Sequence, residues 1–369
     1  MSLYNYVPLS FEKVRQLPNS YEQLKELCSR GLYWISQSGN GNDKNKIEVT
    51  RHKDEIFKEM GYDVFEKLFG QTFDASLYPY FNFSKEMDDT FRLLRNCGRN
   101  VFIHSLRATK HAKDAGSDIY TQKLTLLHDV VENAWKFYIV ISNLQRLGGK
   151  NFQYISKINF NFMNFDIAHV NADALKQEFL ALPEIIEEKF GYDVRFGVMK
   201  LTNMKSIENN LSVLDKSTVK YVDETYLSDL TSDALSSKDE KFLPILEARH
   251  CDRIDNMITM MYLLPKHQLR FFNKTITHLN GSIDVMKEFE IKKDSSFDKL
   301  MNILMVVSEE EATRNILYHS AAPIEGYNLE YRVNKYAKDF SQRLGQLKEI
   351  KEKYEELKRI KDINENLKK

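Results

Sequence analysis

His104, the adjacent pair His128-Asp129 and, much further along the chain, Asp252 are the residue types of a His₂Asp₂ cation site. Each falls in a segment whose apolar residues recur at i, i+3 and i+4, the period of an amphipathic helix. Neutral imidazole nitrogens combined with hard carboxylate oxygens suit a borderline divalent ion such as Mn²⁺, Fe²⁺ or Zn²⁺, and no thiolate is needed. Nine histidines in 369 residues produce such sets by chance, so the flanking residues decide.

On a helix, Glu132 stands four residues after His128 and three after Asp129, which places all three toward one cavity. His128 and Asp129 lie about 100° apart around the axis, so both can reach a single ion. Leu126-Leu127 and Val130-Val131 bracket this polar set, and they predict that its side of the helix is buried. A buried His-Asp pair without a partner costs on the order of several kcal/mol, and a divalent cation offsets that cost.

Three windows carry a family resemblance. They are Ile103-His104-Ser105-Leu106-Arg107-Ala108, then Leu126-Leu127-His128-Asp129-Val130-Val131-Glu132-Asn133, then Cys251-Asp252-Arg253-Ile254-Asp255-Asn256-Met257. Together they resemble the HD-type hydrolase domain of the RelA/SpoT alarmone enzymes, whose pattern runs roughly HPLxVA, LLHDxxED and LADRLHNM. The resemblance spans about residues 85–270. It implies a mainly α fold, with a helical HD-domain bundle over 86–275. A small β insertion is expected within about 145–190. An N-terminal segment, 1–85, has no assigned role, and 276–369 is expected to be a C-terminal helical region.

The resemblance also implies an activity. The expectation is a metal-dependent phosphohydrolase similar to guanosine 3′,5′-bis(diphosphate) 3′-pyrophosphohydrolase, releasing pyrophosphate from the stringent-response alarmone (p)ppGpp. The alternatives are another HD phosphohydrolase, acting on a nucleoside triphosphate or a dinucleotide, and a catalytically weakened nucleotide-sensing module. By resemblance His104, His128, Asp129 and Asp252 are metal ligands, with Mn²⁺ the first expectation and Fe²⁺ or Zn²⁺ the alternatives. Glu132 matches the family's proton-accepting carboxylate, poised near a water whose pKa an ion lowers to roughly 7. Arg95 and Asn256 match substrate contacts, Arg253 a scaffold pair to acidic residues, and Lys110 and Lys200 are further candidates to offset phosphoryl charge. Three positions depart from the pattern: Asn133 where an Asp is usual, Asn96 where Lys often follows Arg95, and Asp255 in place of His. Asn133 is grouped with Glu132 at the catalytic position, but an Asn cannot accept a proton and can only hydrogen-bond a water or phosphate.

Composition narrows the partners. Lys+Arg and Asp+Glu are equal at 53 each, which removes any general electrostatic case for nucleic acid or an acidic membrane surface. No window approaches 18 uninterrupted apolar residues, so no membrane span is expected. The first residues, Met1-Ser2-Leu3-Tyr4-Asn5-Tyr6-Val7, lack a basic leader and an apolar core. Cys28, Cys97 and Cys251 are far apart and form no CxxC. A cytoplasmic, reducing setting is the expectation. No GxxxxGK[ST] or GxGxxG stretch is present, so phosphate must be held by a metal and by cationic side chains.

Helices have to bring these distant residues together. The periodicity predicts helix from about residue 86, a helix over 101–115 ending near Gly116, and a long one over 119–143. The polar cluster Ser38-Gly39-Asn40-Gly41-Asn42-Asp43 reads as a turn, with a hairpin possible around it. Ile158-Asn159-Phe160-Asn161-Phe162 alternates at period two, so 151–170 is expected to hold a strand. Helix resumes near Ala172 with a break at Pro183. From Phe340 to Leu367 apolar residues fall at gaps of three and four. Either a coiled coil or one amphipathic helix packed on the body satisfies that spacing, and it leaves a surface for a second copy or a partner.

Overall fold

The computed structural model describes residues 74–91, 101–135, 138, 172–202, 230–260, 265–320 and 330–367. Among the described residues every regular element is a helix and no strand occurs. The protein is mainly α. The turn cluster at 38–43, the alternating stretch at 151–170 and the region around Arg95 lie outside the described residues. In chain order the helices are α1 (Tyr78–Phe91), α2 (Val101–Ala115), α3 (Ile119–Leu127), α4 (Ala172–Leu180), α5 (Leu182–Phe190) and α6 (Tyr192–Leu201). They are followed by α7 (Phe242–Thr259), α8 (Pro265–Glu288), α9 (Ser296–Ser320) and α10 (Glu330–Leu367).

The described residues fall into two compact units. One holds the described part of 74–252 together with 294–300; the other holds 253–293 and 301–367.

In the first unit, helix begins earlier than the periodicity predicts. The Asp74 side chain accepts from Ser76 N at 2.8 Å and opens a 3₁₀ turn, Ala75–Leu77. Pro79 then sits in the first turn of α1, where its missing N–H costs nothing. The end of α2 falls where the sequence places it. Gly116 takes φ +83°, its N–H donates to Lys113 O at 3.0 Å, and Ser117 N donates to Ala112 O at 2.9 Å. These are the paired bonds of a Schellman ending, which needs a residue tolerant of positive φ. Two residues later Asp118 caps α3, its Oδ1 accepting from Thr121 N at 2.7 Å. The corner fixes the course of α2, which carries His104, and of α3, which leads into His128, and α2 packs directly on α3.

The helix expected over 119–143 is interrupted. α3 ends at Leu127, His128 and Asp129 form a turn, and residues 130–135 are helical again. The reason is local. The Thr125 carbonyl accepts from the His128 ring at 2.7 Å, and Thr125 Oγ1 itself donates to Thr121 O at 2.7 Å. Such side-chain bonds compete with the i→i−4 ladder and loosen it. Leu126, Leu127, Val130 and Val131 are nonetheless almost completely buried, as their bracketing of the polar pair predicts.

Helix resumes at Ala172 and breaks before Pro183, which sits in the first turn of α5. Gly191, at φ +89°, separates α5 from α6. α6 lies against α3, where the Tyr120 hydroxyl donates to the Asp193 carbonyl at 2.6 Å.

In the second unit, α10 packs along α8. Among its described side chains Phe340, Leu347, Ile350, Tyr354 and Leu357 are buried, a heptad-like seam. Phe272 meets Phe340 edge-on with ring centroids 5.6 Å apart. Lys361 Nζ donates to the carbonyls of Met286 and Ile291 at 3.1 and 2.6 Å, satisfying one acceptor in the last turn of α8 and one just beyond it. Of the two arrangements the apolar spacing allows, the helix packed on its own unit is the one seen. No described helix is long and apolar enough to cross a membrane.

Candidate metal centre

Three helical segments of the first unit each deliver part of one buried polar cluster. His104 comes from the first turn of α2, His128 and Asp129 from the turn that closes α3, and Asp252 from α7. His104 Nε2 lies 3.1 Å from Asp252 Oδ1 and 3.1 Å from His128 Nε2. Asp129 Oδ2 is 3.5 Å from His104 Nε2 and 3.4 Å from His128 Nε2, and His128 Nε2 is 3.7 Å from Asp252 Oδ1. Ligands sharing one ion at about 2.0–2.3 Å sit roughly 3–4 Å from one another. The separations match that spacing. The buried cluster His104–His128–Asp252, whose ligand atoms all lie within 4.8 Å of one another, can hold a metal ion. Asp129 borders this trio through Oδ2. It is also the least enclosed of the four, with 22 % of its side chain exposed against 1–5 % for the others.

The protonation chemistry points the same way. Because a carbonyl only accepts, the bond from His128 Nδ1 to Thr125 O makes Nδ1 the protonated nitrogen. In the neutral ring Nε2 carries the lone pair, directed toward His104 Nε2 and the carboxylates. Metal-ligating histidines are oriented by such second bonds to carbonyls. Burial opposes a charge on His128, yet the Asp129 carboxylate, then Asp252, and the bond to Thr125 lift its pKa to about 9. The cluster therefore favours positive charge at its centre, supplied by a proton or by a cation. The donor set is imidazole and carboxylate. Cys251, next to Asp252, is buried, burial pushes its thiol well above the usual range, and its sulfur is not among the clustered ligand atoms.

Asp252 is held from behind. Arg249 Nη1 donates to Asp252 Oδ2 at 2.8 Å, and Nη2 donates to the Leu201 carbonyl at the end of α6. Alongside the scaffold role that the resemblance gives Arg253, this pair belongs to Arg249, which no motif singles out. The available signal was spacing, since Arg249 stands one helical turn before Asp252 on the same face. The Arg253 guanidinium lies over the Phe271 ring, 5.8 Å from its centroid. His250 is a neutral core histidine, driven down to about 3 by burial and edge-on to Phe297 at 4.7 Å.

The remaining candidates are placed as follows. Glu132 is half-buried in the helical stretch 130–135, one turn beyond His128, and Asn133 beside it is buried at 2 % exposure. Arg95 lies outside the described residues. Asn256 is half-buried on α7, one turn after Asp252 but among residues of the second unit. Lys110 pairs with Asp114 at 2.5 Å, and Lys200 pairs with Asp233. No family model, curated protein or solved structure matches the chain.

Proposed function

We propose that this protein is a metal-dependent phosphohydrolase of the HD type, similar to the RelA/SpoT alarmone hydrolases. Its substrate would be guanosine 3′,5′-bis(diphosphate) or its pentaphosphate analogue. The supporting observation is the meeting of His104, His128, Asp129 and Asp252, residues remote in sequence, with donor atoms at ion-sharing distances. These four residues would hold the ion, with Mn²⁺ the leading candidate and Fe²⁺ or Zn²⁺ the alternatives, because the set offers imidazole and carboxylate without sulfur. A divalent ion bound there supplies Lewis acidity at a phosphoryl oxygen and lowers the pKa of a water to about 7.

Glu132 is assigned the proton of the attacking water. Water would then add to phosphorus as the 3′ O–P bond breaks, and the proton taken by Glu132 would pass to the departing 3′ oxygen, leaving a 3′-hydroxyl and free pyrophosphate. Arg95 and Asn256 are assigned to the nucleotide on the strength of the resemblance alone. The setting proposed is cytoplasmic, with α10 a candidate contact for a second copy or a partner.

One observation favours a different reading. Asn133 is buried beside Glu132 at the position where the family carries a second acid, and a buried amide cannot take up a proton. A nucleotide sensor that has lost turnover satisfies that substitution. The deciding experiment is to incubate the purified full chain and Mn²⁺ with a nucleotide panel and separate the products by chromatography. Pyrophosphate from the alarmone supports the proposal. Phosphate, triphosphate or a mononucleotide from other substrates moves the assignment to another HD phosphohydrolase. Nucleotide binding without any hydrolysis moves it to the sensor.

A further inference from the structure

The two carboxylate oxygens of Asp252 have different partners. Oδ1 faces the imidazoles, 3.1 Å from His104 Nε2 and 3.7 Å from His128 Nε2. Oδ2 is taken by Arg249 Nη1 at 2.8 Å. The second arm of the same guanidinium binds the Leu201 carbonyl. The Arg249 and Asp252 side chains are only 6 % and 5 % exposed, so solvent does not screen the pair. One planar fork therefore ties the last residue of α6 to the carboxylate that enters the cluster.

We infer that Arg249 is a positioning residue of the candidate metal centre, which holds Asp252 to a single inward oxygen and thereby sets both the affinity of the site and its choice of ion. The inference rests on the metal reading above. A carboxylate without this partner can swing to present both oxygens, the mode that large cations exploit. Ca²⁺ gathers about six to eight oxygens, often through bidentate carboxylates. With Oδ2 occupied and two imidazoles adjacent, the donor set is short and rich in nitrogen, which suits a transition ion instead. Arg249 also offsets one of the two carboxylate charges while the ion is absent. Lysine would keep that charge but, as a point donor, would not bridge Oδ2 and the Leu201 carbonyl in a fixed plane.

The test uses the full chain, stripped of metal with a chelator and titrated with Mn²⁺ alone, free Mn²⁺ being read by electron paramagnetic resonance. Wild type, Arg249→Lys and Arg249→Gln are compared, and each titration is repeated against Ca²⁺. Wild type is expected to keep its Mn²⁺ in about a hundredfold excess of Ca²⁺. Arg249→Lys, checked for folding by circular dichroism, should bind Mn²⁺ about 10- to 100-fold more weakly, the usual loss when an outer partner of a ligand is removed. It should also discriminate less against Ca²⁺. An arginine that is merely structural would change stability and leave the Mn²⁺ to Ca²⁺ preference where it was. Wild-type affinity and selectivity in Arg249→Lys overturns the inference. So does displacement of Mn²⁺ from the wild type by equimolar Ca²⁺, a measurement that holds even if both variants fail to fold. A wild-type protein that binds none of Mn²⁺, Fe²⁺ and Zn²⁺ overturns the metal reading itself, which is a separate result.

Discussion

Leu124 fills the space that a side chain at Gly197 would need: a Cβ built there would lie 2.5 Å from Leu124 Cδ2 and 3.1 Å from the Tyr120 hydroxyl. Leu124 is fully buried, so a Cβ at Gly197 obliges its side chain to shift within the core. This contact sets how closely α6 lies on α3, and α6 ends at the carbonyl that anchors Arg249. Gly197→Ala is therefore expected to destabilise the protein by about 1–3 kcal/mol, the usual cost of overpacking. Urea unfolding of the two proteins measures it, and equal midpoints would show that the interface yields freely.

If the buried cluster takes up an ion only when folded, metal stabilises the native state by mass action. Mn²⁺ at about a hundred times its Kd should add about 2.7 kcal/mol, seen as a higher Tm that a chelator reverses. Asp252→Ala and Asp129→Ala should each abolish the increment. A Tm rise that survives in Asp252→Ala would place the ion elsewhere.

On the proposed function, substitutions at Glu132 and Asn133 are expected to separate binding from turnover. Glu132→Gln is expected to retain Mn²⁺ and nucleotide and to lose hydrolysis by roughly 10²–10⁴-fold, the range for a general base. Asn133→Asp should raise the rate if the amide is a degenerate acid, at some loss of stability because the position is buried. Wild-type rates in Glu132→Gln would remove that residue from the mechanism.

In the second unit, burial raises the Glu311 carboxyl to about 7, while the adjacent Arg314 guanidinium pulls it back. The folded pKa then exceeds the unfolded value of 4.5, so between about pH 4.5 and 7 the native state binds more protons than the unfolded chain. The stabilising contribution of this group is complete below the unfolded pKa and is lost as pH rises through the folded one. Stability should fall across that window, and Glu311→Gln should flatten the fall. Denaturant titrations at pH 5, 6 and 7.5 read the slope, and identical slopes in both proteins would contradict the assignment.

Much of the architecture was open to local reasoning because local physics decides it. Gly116 ends α2 since only a residue at ease with positive φ completes that Schellman pairing. Pro183 starts α5 for the reason that its ring and missing N–H allow little else. The seam of Phe340, Leu347, Ile350, Tyr354 and Leu357 follows from apolar periodicity, although the choice between a coiled coil and a helix packed on its own unit depended on what lay opposite. Extended structure at 158–162 remains an expectation, as those residues lie outside the described ones.

By itself the sequence determined which side chains can take part in chemistry: imidazoles and carboxylates flanked by apolar residues on helices, with no thiolate among them. It also determined that those helices have one buried face, because periodicity is a property of each segment alone. Tertiary structure decided the rest. That Asp252 stands 3.1 Å from His104 across 148 residues of chain, and that Arg249 reaches the Leu201 carbonyl across 48, depend on how helices cross. No short window encodes such crossings. They follow from side-chain packing between segments far apart in the chain, as with the bare Cα of Gly197 against Leu124.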